Sequence, residues 1–305
     1  MRAQAPPNWN GERILPSVTP TTVDGAYAHC AAIAARHYEN FPVASRLLPP
    51  ALRPHIAAIY AFARTADDFA DDEGRPADER LRLLKDWREK LHRTVRGQGE
   101  TDPVFVALGA TMKQRDLPVQ PFEDLLSAFE QDVTVQRYET WDQLLDYCRR
   151  SANPVGRLVL RVANVRDAGA EQASDALCTA LQLTNFWQDF AADWHAGRLY
   201  VPREGVTAAG ASERDLDAAR MTPEWKGAMR ACVTRTRVLF DAGRPVTDAV
   251  RGRLRFELRA TWLGGSRVLQ KIEECDYDTL HSRPKLNVAD ALRILPAALL
   301  WKNRT

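Results

Sequence analysis

Apolar residues recur at spacings of three and four along almost the whole chain from Tyr27 onward. The segments "PHIAAIYAFARTADDFA", "DERLRLLKDWREKLHRTV" and "ASDALCTALQLTNFWQDFAADW" carry this stripe and are rich in Ala, Leu and Arg, which are good helix formers. No stretch alternates with period two, and nothing repeats at solenoid length. Breaks fall at "PP" (49–50), "DEGRP" (72–76), "RGQGETDP" (96–103), "LPVQP" (117–121), "NPVG" (153–156) and "AGRPV" (242–246). Residues 1–24 hold four prolines and read as a flexible lead-in. The pattern predicts an all-α protein of roughly ten helices, one domain spanning residues 25–305.

Composition narrows the function more than the fold. With 42 basic and 40 acidic side chains, the net charge of +2 gives no global field to recruit nucleic acid. No basic and aromatic residues interleave as a nucleic-acid surface would require. The local run Arg251, Arg253, Arg255 and Arg259 reads as a charged helix face. Five cysteines, scattered and never in a CxxC pair, argue against a disulfide framework or a zinc site and fit a reducing cytoplasm. No signal-type core opens the chain, and no apolar run reaches the ~20 residues of a membrane span. The end, "ALRILPAALLWKNRT", is too short to cross a bilayer but able to touch one. These features predict a cytoplasmic protein, at most peripheral to the inner face of the membrane.

The candidate chemistry lies in "RTADDFADD". On a helix advancing about 100° per residue, Tyr60, Arg64, Asp67 and Asp71 share a sector of roughly 60°. Asp68 sits at its edge and Asp72 turns away. Two carboxylates one turn apart repel each other unless a cation lies between them. They also offer the hard oxygen ligands that Mg²⁺ takes alongside substrate phosphates. The arrangement occurs twice: "LQLTNFWQDFAADWHAGRLY" places Asp189 and Asp193 on one face with Gln182, Asn185 and Phe186, while Gln188 points elsewhere. If the two helices face each other, four carboxylates can hold Mg²⁺ ions that polarise a departing diphosphate. The apolar remainder of such a pocket suits a hydrocarbon chain.

These motifs resemble the squalene/phytoene synthase family of all-helical isoprenoid synthases, over about His29 to Arg283. "AIYAFARTADDFAD" is similar to that family's first aspartate-rich motif, and "LTNFWQDFAADWHAGRLYVP" to its second. "YCRRSANPVGRL" sits where the family has a Tyr-and-Gly helix break. "HYENFPVASRLLP" points further to the bacterial branch that takes presqualene diphosphate, expels diphosphate and adds water, on the route to squalene and hopanoids. The resemblance implies Mg²⁺, no NADPH, an isoprenoid diphosphate substrate, transient membrane contact and partner enzymes upstream and downstream. Candidates to meet the substrate are His37, Asn40 and Phe41, Arg198 and Tyr200 just after the second motif, and Tyr147, Asn153 and Gly156 at the helix break; at Gly265 relatives have Tyr, and its loss leaves space for an ordered water beside the cation.

Two alternatives stay open: a synthase condensing two prenyl diphosphates, and a non-catalytic member acting as an assembly factor. Against the first, Glu39 stands where many relatives have Lys, and Gln188 where they usually have Arg. Both changes remove a cation, which suits one diphosphate better than two. Against the second, all four aspartates are intact. His37 is equally a structural histidine, and "SANPVG" equally a proline kink. Trp87, Trp141 and Trp225 read as packing residues.

Overall fold

The computed structural model describes residues 22–36 and 48–301. In chain order the helices are α1 (Val23–Arg36), α2 (Arg53–Asp71), α3 (Ala77–Val95), α4 (Pro103–Arg115), α5 (Gln120–Thr134), α6 (Trp141–Ser151), α7 (Asn153–Val162) and α8 (Ala168–Gln188). There follow α9 (Phe190–His195), α10 (Arg203–Ala209), α11 (Glu213–Asp217), α12 (Pro223–Gly243), α13 (Val246–Ala249), α14 (Gly252–Glu274) and α15 (Val288–Leu299). Most of the excess over the expected ten lies in α9, α10, α11 and α13, none longer than seven residues. Elements under two turns are too short for an apolar period to reveal. Helix α1 begins two residues before the predicted start of the domain at residue 25.

Local chemistry sets the ends. Pro54 occupies the first turn of α2, where a missing N–H costs no hydrogen bond. Asp102 caps α4 by accepting from the Val104 N–H at 3.0 Å, and Asp167 caps α8 by accepting from Ala170 at 2.8 Å. Asp78 and Glu79 open α3 while His92 and Arg93 close it, complementing the helix dipole.

Two aromatic groups knit the core. Phe62 of α2 meets Trp87 and Phe105 at ring distances of 6.0 Å each and Phe122 at 5.4 Å. On the other side α8 runs through the centre, packed by α6, α7, α12 and α14. Its Trp187 is fully buried and donates to Thr236 Oγ1 at 2.8 Å. Trp225 is fully buried as well, and Trp141 stacks on Trp187, so the tryptophans pack as expected.

No strand occurs among the described residues beyond an isolated parallel bridge between Arg137 and Leu199. That bridge ties the run after α9 to the α5–α6 link and brings Arg198 and Tyr200 inward. The five cysteines form no disulfide. No helix of the described residues is long and apolar enough to cross a membrane.

Candidate active site

The C-terminal end of α2 faces the corner between α8 and α9. Arg64 holds Asp67 at 3.0 Å and Asp68 at 2.5 Å, so it serves both the central and the edge carboxylate. Asp72 turns away, as the helical wheel requires, and pairs with Arg75 at 2.7 Å. The second pair differs in detail from the continuous helix expected. Asp189 ends α8 and starts α9, with φ −96° and ψ 14°. The Asp193 N–H still bonds the Asp189 carbonyl at 2.9 Å, so the two remain one turn apart on one side.

Arg198 joins the pairs. Its guanidinium reaches Asp71 at 3.2 Å and Asp193 at 3.7 Å, and its backbone N–H closes on the Asp193 carbonyl at 2.7 Å. Arg283 pairs with Asp189. The Nε atoms of Arg64 and Arg198 are buried without a hydrogen-bond partner. Among the described residues no three His, Cys, Asp or Glu side chains are grouped to hold a metal ion in this arrangement. Where four carboxylates round Mg²⁺ were expected, the two pairs are bridged by arginine.

The donor set nonetheless has the chemistry of a hard-cation site, carboxylate oxygens at the mouth of a cleft. Burial pushes the Asp67 carboxyl up to about 6, with Asp71 adding to it and Arg64 opposing. Burial likewise pushes Asp193 up to about 7, against Arg198 and with the help of Asp189 and Asp71. The Asp71 charge thus acts on one carboxyl of each pair, and the clustered carboxylates call for a cation.

Asp132 of α5 also belongs here, and the sequence reading missed it. Burial raises its carboxyl to about 7; a hydrogen bond from Tyr147 opposes that, while Asp67 and Asp71 add to it. A signal was available, because on the α5 wheel Asp132 interrupts the stripe of Leu125 and Phe129. Arg283 had none, lying 94 residues from Asp189 in sequence.

Behind the carboxylates stands an aromatic wall. Phe186 and Tyr200 stack at 3.7 Å and 5°, and Tyr147 packs against both at 6.1 and 6.2 Å. Tyr138 backs Tyr147 at 5.6 Å. Burial holds the Tyr147 and Tyr200 hydroxyls above the usual phenol range, so both stay neutral donors.

A cavity of about 240 Å³ opens beneath, lined by Ile56, Ile59, Tyr60, Arg64, Asp67, Phe129, Asp132, Tyr147, Val159 and Gln182. A second, of about 210 Å³, shares Ile56 and Val159 with it and continues along Gly156, Leu177, Leu181, Asn185, Leu254 and Leu258. The polar end and the apolar depth therefore meet across two side chains. A larger groove of about 770 Å³, floored by Trp141, Gly205, Ala208 and Ala231, lies elsewhere; neither aspartate pair lines it.

Some predicted residues stand apart. The α6–α7 break falls at Ala152, and Asn153 is buried, accepting from Thr179 Oγ1 at 2.9 Å. Gly156 lines the deeper cavity and lets α7 approach α8, since a Cβ there would stand 2.3 Å from Ser174 Oγ. Gly265 lines neither cavity. A Cβ on it would meet Leu181 Cδ2 at 2.5 Å and Phe240 Cζ at 2.8 Å, so it serves close helix packing and leaves no space for water. Gln188 donates to the Pro284 carbonyl, next to the Arg283 that pairs with Asp189. His37, Asn40 and Phe41, with Glu39, lie outside the described residues.

Comparison with known proteins agrees with this architecture. Hydroxysqualene synthase of Rhodopseudomonas palustris is 38% identical over 250 residues, 81% of this chain and 84% of that one. The enzyme of the same name from Sinorhizobium fredii is 41% identical over 227 residues, 73% of this chain and 76% of that one. The crystal structure of squalene synthase HpnC from Alicyclobacillus acidocaldarius superposes with a TM-score of 0.79 at 38% identity, covering 85% of this chain and 97% of that one. The squalene/phytoene synthase family model matches residues 34–290, and the chain belongs to that family.

Proposed function

We propose that the protein is a hydroxysqualene synthase: it ionises presqualene diphosphate, allows the cation to rearrange, and captures it with water. The observation that carries this reading is that Arg198 draws together Asp71 and Asp193, one aspartate of each pair, beside a largely apolar cavity that Asp67 lines. The relatives at 38% and 41% identity bear that name, which supports the same reading here.

Each residue has a part in the reaction. Arg64 and Arg198 offer guanidinium N–H groups to diphosphate oxygens, the geometry in which Arg binds phosphate best. Asp67, Asp71, Asp189 and Asp193 would hold Mg²⁺, which neutralises the leaving diphosphate and eases its departure. As the C–O bond breaks, its electron pair leaves with diphosphate, and the cation remains beside Tyr147, Phe186 and Tyr200. Their ring faces stabilise positive charge. The apolar depth shields the cation from bulk solvent, so a single water adds. Asp132, with its carboxyl near 7, is suited to take the proton that this water loses. A hydrocarbon substrate and product also require exchange with a lipid surface and hand-over to neighbouring enzymes.

The test is product identity. Incubation of the purified protein with Mg²⁺ and presqualene diphosphate, without NADPH, should give hydroxysqualene and diphosphate by mass spectrometry. Squalene as the main product on adding NADPH would overturn the assignment. So would efficient consumption of two farnesyl diphosphates, which would establish the condensing alternative.

A further inference from the structure

Helix α15 has two apolar sides, and only one is covered. Its inner side is fastened to α14: Asp290 meets Arg267 at 2.8 Å and Lys271 at 2.5 Å, and Ala298 is buried. Asn287 and Asp290 form a reciprocal capping box at its start. Beyond its end, Trp301 packs edge-on against Trp262 at 5.4 Å, with Arg244 4.4 Å from its ring. The helix is thus held at both ends in a fixed orientation.

On the outer side Val288, Leu292, Leu295 and Leu299 fall within a sector of about 60°. They are 77%, 69%, 45% and 72% exposed, and Leu300 beside them is 76% exposed. Six of the nine exposed large apolar residues described lie between Leu286 and Leu300, so this is a patch and not ordinary scatter.

Charge indicates what covers it. Beyond Arg283, which Asp189 already neutralises, Lys285, Arg293, Lys302 and Arg304 outnumber a single acid, Asp290. Asp290 is already paired inward. An apolar stripe in a cationic stretch complements an anionic lipid surface. A second copy suits it poorly. The 12-residue helix is about 18 Å long and about 10 Å wide, a footprint on the order of 200 Å², against about 800 Å² per partner for a stable interface. Two such stretches would also repel each other. The position fits too: just before α15, Arg283 pairs with Asp189, and Pro284 accepts from Gln188. The helix therefore leads directly from the aspartate-lined mouth.

We propose that α15 lies in the headgroup region of an anionic bilayer with Val288, Leu292, Leu295 and Leu299 turned inward. This anchors the catalytic mouth beside the lipid phase that dissolves a long hydrocarbon. The lipid contact itself does not depend on which reaction the site performs.

The test is sedimentation of the full chain with vesicles of phosphatidylglycerol and phosphatidylcholine in equal parts, and with phosphatidylcholine alone. No substrate is present, so the result is separate from the reaction assay. The protein should bind the mixed vesicles more strongly, and salt should weaken that binding. The double substitution Leu292→Glu and Leu299→Glu changes only exposed positions and should keep the thermal unfolding profile. It should reduce vesicle partitioning at least ~10-fold, because two buried leucines are lost. Diphosphate release from detergent-dispersed substrate should stay unchanged. Absence of vesicle binding, or equal binding by the variant, would overturn the proposal. So would a solution dimer, seen by light scattering, that the variant abolishes, since a second copy would then cover the stripe.

Discussion

Replacing Asp132 with Asn should stabilise the protein above about pH 7 and leave it unaltered near pH 4. The unfolded chain ionises Asp132 near its ordinary 3.8, whereas the folded carboxyl is pushed to about 7, chiefly by burial. Between those values the folded state holds a proton that the unfolded state has released. Stability therefore falls as pH rises through this window, and the penalty is complete above the folded value. A shift of about three units sets a ceiling of roughly 4 kcal/mol. Part of that belongs jointly to Asp67 and Asp71, and the cavity admits solvent, so about 1–2 kcal/mol is the working figure. The asparagine oxygen still accepts from Tyr147, so no buried hydroxyl loses its partner.

Thermal unfolding of both proteins across the pH range measures the difference. An advantage of roughly 1.5–3 °C for the variant is expected on the alkaline side of this 305-residue chain, vanishing toward pH 4. A variant less stable than the parent at high pH would refute the reasoning. An advantage of equal size at both ends would do so as well, since a packing change does not titrate. If Asp132 also accepts the proton of the added water, turnover of the variant falls while its stability rises.

The other predictions concern the metal site, the cavity and the diphosphate contacts. Alanine at any one of Asp67, Asp71, Asp189 or Asp193 should lower turnover by about 100-fold or more without loss of fold, checked by diphosphate release and circular dichroism; full activity in EDTA would count against the metal. Val159→Trp fills the wall shared by the two cavities and should impair C30 substrates before shorter prenyl diphosphates, read from relative kcat/KM. Gly265→Ala should cost about 1–3 kcal/mol in denaturant unfolding through overpacking against Leu181 and Phe240, with the product ratio unchanged. The pair Glu39→Lys and Gln188→Arg should gain weak binding of a second diphosphate in calorimetry; unchanged binding removes the charge argument against two-substrate condensation.

What the sequence revealed follows from which interactions are local. The pair Asp67 and Asp71, with Arg64 and Tyr60, needs only the helical repeat to share a face, and it does. Asp189 and Asp193 were nearly as legible, although the chain breaks at Asp189, which no propensity at that position announced. The α6–α7 break was visible, but its role was not. Asn153 is spent on Thr179, an interaction 26 residues away, and Gly156 on the approach of α7 to α8. Gly265 is spent on close contact with Leu181 and Phe240, neighbours that its position along α14 does not disclose. Arg283 was invisible, since only the fold brings it to Asp189.

The arginines also account for the form of the site. Arg64, Arg198 and Arg283 each take an aspartate of the two motifs as partner. None of these contacts is an efficient source of stability, because the groups are partly exposed and such pairs contribute at most about 1 kcal/mol each. Their value on the proposed reading is in exchange. Were the carboxylates to bind a dication, the guanidiniums they release would already stand at the cleft where diphosphate would lie. Weak pairs make that exchange nearly free, whereas a buried, fully hydrogen-bonded ion pair would oppose it by several kcal/mol. The Nε atoms of Arg64 and Arg198, buried without a hydrogen bond, are what such a half-satisfied arrangement leaves behind. Rigid apolar walls and exchangeable ionic contacts at the mouth fit a site that must grip a charged head while burying a long hydrocarbon.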